Sequence, residues 1–165
     1  MSRKILVAVA GCALLAVWAG AAAGEGTKRA ACTPRVIAYG GNKALVFCGP
    51  AKAAVSAAGK TYRYSNGRCE RRQQYLRVDL GMRMLGPTTQ PKPNYFGLSI
   101  GRTPGAPDAA VTKDGKYGGA LISVVHGGVE IAPEGRGKVT LRKNRTKGLF
   151  SIKVAGKLVT GSFTC

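Results

Sequence analysis

Hydrolytic chemistry would have to be assembled from histidine, serine and carboxylate side chains, and this chain spaces few of them usefully. The single histidine, His126, stands in Val124-Val-His-Gly-Gly128, and the acidic residues number 7. One imidazole excludes a histidine-pair ribonuclease mechanism. Ser99 and Ser123 lack the strand-to-helix elbow that a nucleophile partnered by His126 and Asp79 or Asp114 would need. Glu130 lies in the alternating run Val129-Glu-Ile131 and reads as an outward strand residue, while Glu70 is flanked by Arg68, Arg71 and Arg72, where ion pairing accounts for it. Gly101-Arg-Thr-Pro-Gly105 and Gly135-Arg-Gly137 have no helix after them to make a phosphate loop. The two glycines after His126 place it at a hairpin tip, facing solvent. The chain therefore reads as a non-enzyme without cofactors.

Binding chemistry is better represented. One basic cluster, Arg68, Arg71, Arg72 and Arg77, is interleaved with Tyr62, Tyr64 and Tyr75, a mixture suited to sugars, base stacking or acidic polymers. A second comprises Lys138, Arg142, Lys143, Arg145 and Lys147 and reads as a charged loop between two hairpin segments. Formal net charge is +19. Such a charge attracts anionic polymers: envelope phosphates, acidic polysaccharide, phospholipid head groups and, without sequence specificity, nucleic acid. The alternatives are a secreted interaction module, an inhibitor or effector meeting one protein partner through an apolar loop patch at Pro93-Asn-Tyr-Phe96, or a structural envelope protein with no defined ligand.

The elements that must position these residues begin after a leader. Ser2-Arg3-Lys4 is a charged start, Ile5 to Trp18 an apolar core of about 14 residues, and Ala19 to Ala23 a small-residue cleavage region. The core is short of the roughly 20 residues of a membrane span. Residues 1–23 thus read as a signal peptide, 24–34 as a polar lead-in and 35–165 as one domain, secreted or held in a bacterial cell envelope. Removing Arg3 and Lys4 from 26 basic residues leaves 24 against 7 acids, a charge of about +17. Val9-Ala-Gly-Cys12 also resembles a lipobox, which would place a lipid anchor on Cys12.

Beyond the leader come short β-type runs separated by Gly, Pro, Asn and Asp, a pattern that predicts an antiparallel β-sandwich, immunoglobulin-like or similar. The runs are near 35–39, 44–48, 52–57, 60–64, 75–80, 95–100, 109–113, 120–125, 129–132, 138–142, 148–154 and 157–165. The clearest is the last hairpin. A two-residue loop at Ala155-Gly156 sets Ile152 opposite Val159 and Phe150 opposite Gly161, with Phe163 and Cys165 on the same buried face. The gap at Gly161 lets the Phe150 ring lie across the partner strand.

Cys32, Cys48, Cys69 and Cys165 remain after the leader, an even number that predicts two disulfides in an exported chain. With neither a CxxC pair nor a second histidine, a metal site is not expected. A loop at Ala58-Gly59 sets Val55 opposite Tyr62 and Ala53 opposite Tyr64, and carries Cys48 to a position facing Cys69, leaving Cys32 for Cys165. If Asn66-Gly67 is the turn instead, that register argument dissolves.

Val46-Phe-Cys48 before a Gly-rich turn, the Lys113-Asp-Gly115 turn and the closing Thr164-Cys165, behind a small-residue leader, resemble the mycobacterial lipoprotein-antigen type of exported β domain. The resemblance spans roughly residues 44–165. It implies a β-sandwich on the cell envelope, with Cys48 bridged to Cys165 and Cys32 to Cys69.

Overall fold

The structure, a computed structural model, describes residues 32–87, 91–102 and 110–165. The leader, Cys12 and most of the lead-in lie outside the described residues. Ten strands follow: β1 (Arg35–Tyr39), β2 (Asn42–Val46), β3 (Ala51–Ala57), β4 (Lys60–Arg71), β5 (Tyr75–Met84), β6 (Tyr95–Gly101), β7 (Gly115–His126), β8 (Val129–Arg142), β9 (Lys147–Val154) and β10 (Lys157–Thr164).

The architecture is a closed barrel and not the expected sandwich. From β3 to β10 each strand pairs antiparallel with the next, and β10 returns to pair with β3, Phe163 facing Ala53 and Thr160 facing Ser56. Eight strands therefore close without a free edge. Period-two alternation requires one buried face, but it is the same whether that face meets a second sheet or curls onto itself. Long strands and bulges supply the curl. β7 and β8 run for 12 and 14 residues, with register shifts at Gly118/Ala120 and Ile122/Val124. The sequence runs 129–132 and 138–142 are thus one strand, with Pro133 seated in the irregularity. Residues 110–113, expected as a strand, are loop, while Ala109 lies outside the described residues.

The interior is packed with side chains, as an eight-stranded barrel permits. Leu76, Val78, Leu80, Phe96, Leu98, Ile122, Val124, Val139, Phe150 and Phe163 are all buried in one cluster. The final hairpin has the expected register, Ile152 with Val159 and Phe150 with Gly161. A Cβ on Gly161 would collide with the Phe150 ring and the Ala54 carbonyl, so glycine is required there. Ala155 and Gly156 have φ of 47° and 77°, and Ala58 and Gly59 φ of 48° and 75°, as two-residue hairpin turns demand.

Both expected disulfide pairings are overturned. Cys32 bridges Cys48, and Cys69 bridges Cys165 across 96 residues, with Cα atoms 5.4 Å apart in each. The β3–β4 ladder begins as expected, Val55 with Tyr62 and Ala53 with Tyr64, but then slips, so that Ala51 faces Gly67. Asn66, at φ 60°, is the bulged residue inside β4 and not a turn. Cys48 precedes β3 and never enters the ladder. Beyond the start of β3, the inward Cys69 on β4 meets the inward Cys165 following β10. β1 and β2 stand apart as a hairpin joined to the end of β5, Val46 facing Met82 and Ala44 facing Met84.

Candidate functional site

The turns after β3, β7 and β9 lie at one end of the barrel. The opposite end is formed by the β4–β5 and β8–β9 turns and the end of β10, and there part of the two basic clusters converges. Arg71 closes β4 and Arg72 follows it, while Arg142 closes β8 and Lys147 opens β9. Between them Lys143, Asn144 and Arg145 are consecutive residues with φ of 52°, 55° and 58°. Left-handed backbone is costly for residues with a Cβ, so this turn persists only because its surroundings determine it.

The determinants are visible. The Asp114 carboxylate accepts hydrogen bonds from the Asn144 amide at 3.0 Å and the Arg145 amide at 2.7 Å. Arg145 Nη1 donates to the carbonyls of Arg72 and Val111, both at 2.8 Å. Arg71 Nη1 donates to the Asn144 carbonyl at 3.1 Å. Arg145 thus ties three loops together, and its Nε has no hydrogen-bond partner. Arg142, Lys143 and Lys147 stay exposed around it. Arg72 pairs with Glu70 at 3.0 Å, and hydrogen bonding from Tyr75, joined by Arg72, holds the Glu70 carboxyl below the usual carboxylate range.

The rest of the first cluster is dispersed. Tyr62 and Tyr64 point into the barrel: Tyr64 is buried with its hydroxyl donating to the Val125 carbonyl at 3.0 Å, and Tyr62 lies against His126 with centroids 4.9 Å apart and ring planes tilted by 49°. Without a bulge, Tyr62, Tyr64 and Arg68 would share a face. The extra residue at Asn66 flips the parity, so Arg68 emerges on the outer wall while the tyrosines stay inside. There Arg68 lies over the Phe47 ring at 5.2 Å and 3.7 Å from Asp79. Arg77 grips Asp79 with two bonds of 2.7 and 3.3 Å, and the Tyr95 hydroxyl donates to the same carboxylate at 2.8 Å. Asp79 is only 1% exposed among these partners, and the buried Phe47, whose amide bonds the Gly81 carbonyl, lies against Arg68 and, with ring centroids 6.0 Å apart, Tyr95. Burial, then the Asp79 charge, raises the Tyr95 pKa above the ordinary tyrosine range.

Two other expectations change. His126 stands at the tip of the β7–β8 hairpin as expected, facing Val129 across Gly127-Gly128, but it is half-buried against Tyr62 and Tyr64 and does not face solvent, and its Nδ1 has no hydrogen-bond partner. The apolar patch at Pro93–Phe96 does not exist as a surface, since Phe96 is in the core, Pro93 is buried and Tyr95 lies over Gly97. Glu130 is outward as expected, 2.5 Å from Lys92. Sequence reasoning missed Asp114 as the anchor of the basic loop, although its place in Lys113-Asp-Gly115 marked it as a turn residue. No helix among the described residues is long and apolar enough to cross a membrane.

No family model, curated protein or solved structure matches this chain significantly.

Proposed function

We propose that the chain is an exported binding module of the bacterial envelope or its surroundings, acting without catalysis, that holds anionic polymers on its cationic surface. The supporting observation is the convergence of Arg71 and Arg72 with Arg142, Lys143 and Lys147 on one barrel end, around a strained turn fixed by Asp114 and Arg145. Rigid placement keeps exposed cations close together at little entropic cost on binding. A hydrated polymer is then held by summed charge, and salt screens it over about 8–10 Å.

Retention on phosphocellulose and heparin matrices tests this. Retention should be strong at low salt and lost well below about 1 M. Changing Arg142, Lys143 and Lys147 together to glutamine should lower the eluting salt more than changing Lys43, Lys60 and Lys157, which carry the same charge elsewhere. Equal shifts, absence of binding at low salt, or retention indifferent to salt would refute the reading.

A further inference from the structure

The outer wall of β4, β3, β10, β9 and β8 carries a second pattern. Register places Thr61, Ser56, Thr160 and Ser151 side by side on four adjacent strands, with Lys138 completing the row on the fifth. The next row reads Arg63, Ala54, Ser162, Leu149, Thr140 and, on β7, Lys116. A third, reaching the basic end, reads Lys52, Thr164, Lys147 and Arg142. All these side chains are exposed or half-buried, and none is acidic.

Adjacent strands lie about 4.8 Å apart and alternate residues about 6.8 Å apart along a strand, so the rows form a floor of short hydroxyl side chains framed by cations. Over it lie shallow grooves of about 410 and 500 Å³. The aromatic residues of these strands, Tyr62, Tyr64, Phe150 and Phe163, face inward, leaving no platform on which nucleic-acid bases could stack. Leu149, Leu158 and, at the start of β8, Val129 are the large exposed apolar side chains of these strands, too few for insertion into a lipid surface.

Accepting the anionic-polymer reading on which it rests, we infer that this wall is a track for an acidic polysaccharide. Serine and threonine hydroxyls both donate and accept, as sugar hydroxyls do, while the framing lysines and arginines meet the sugar carboxylates or sulfates. Phosphate oxygens accept from the hydroxyl floor but cannot donate back to it, so a polymer of phosphates uses only the donor half of what the serines and threonines offer.

The test measures binding of the mature protein to polygalacturonate, linear polyphosphate and uncharged dextran. The variant Ser151→Ala with Thr160→Val keeps every charge and removes two hydroxyls. It should weaken polygalacturonate binding about tenfold and polyphosphate binding distinctly less. Ser56→Ala with Thr61→Val, on the other two strands of the row, should do the same and guards against a folding defect in the first pair, which a thermal melt would reveal. Equal loss for both polymers, no loss for either, or dextran binding as tightly as polygalacturonate would overturn the track while leaving the anionic-polymer reading intact. Failure of every anionic polymer to bind at low salt would overturn both.

Discussion

Asp79 shows how one residue's role depends on distant chain. Its side chain points outward on β5, yet it is the buried charged residue of the described protein, with Arg77, Tyr95 and Arg68 gathered on its oxygens. Removing the carboxylate leaves a partly buried guanidinium and a buried hydroxyl without their acceptor. Asp79→Ala should cost about 3–5 kcal/mol in denaturant unfolding, and Asp79→Asn less, since the amide keeps an acceptor. A loss under about 1 kcal/mol would show that water replaces the carboxylate freely. The tyrosines make a second prediction. Burial raises the pKa of Tyr64 and of Tyr95 above that of an unfolded tyrosine. For an acid raised in this way, the stabilisation is complete below the unfolded pKa of about 10 and disappears as pH rises beyond it. Ultraviolet titration should therefore find two of the 6 tyrosines resisting ionisation until the protein unfolds in alkali. Arg77 and Asp79 stand two apart on one strand and so share a face, but their pairing emerges only in the folded sheet. The burial of Asp79 depends on Arg68 and Tyr95, which reach it from the strands on either side and which no local pattern on β5 announces.

At the level of elements, what could be read was what short-range geometry decides. The two Ala-Gly turns place both residues at positive φ, a backbone whose twist matches the strands it joins, and both hairpins keep the register counted outward from them. The count fails where the chain gains a residue. Asn66 tolerates the left-handed conformation, and its bulge both separates the tyrosines from Arg68 and removes the reason for pairing Cys48 with Cys69. Asn-Gly reads equally well as a turn, and only the tertiary ladder decides. The disulfides that result differ in weight. Cys69–Cys165 ties β4 to the end of β10 across the barrel's closing strands, whereas Cys32–Cys48 ties the segment before β1 to the residues after β2. Replacing Cys69 and Cys165 by serine should cost about 2–5 kcal/mol of barrel stability. Replacing Cys32 and Cys48 should loosen the β1–β2 hairpin and shift the barrel's main unfolding transition little. Equal effects from the two pairs would mean that the hairpin and barrel unfold as one unit.

For the whole molecule, closure turns a list of charges into surfaces. Alternation along any one strand announces an inside and an outside, but the rows on the outer wall exist only because β10 pairs with β3, setting Ser56 beside Thr160 although a hundred residues of chain lie between. Arg142 and Lys147 belong to both the outermost row and the basic end, so the two surfaces are continuous. On the proposed reading, a polymer long enough to lie on the wall and pass around that end would engage both from a single molecule, and its second contact would form at the high effective concentration set by the first. Affinity per chain should then rise steeply along a series of oligogalacturonates and level off once the oligomer spans both surfaces. The glutamine changes at Arg142, Lys143 and Lys147 should flatten that rise more than they weaken the shortest oligomers, whose few contacts fit on the wall alone. Titration calorimetry across the length series measures both effects, and an affinity proportional only to oligomer charge, with no steep region, would mean that the two surfaces bind independently.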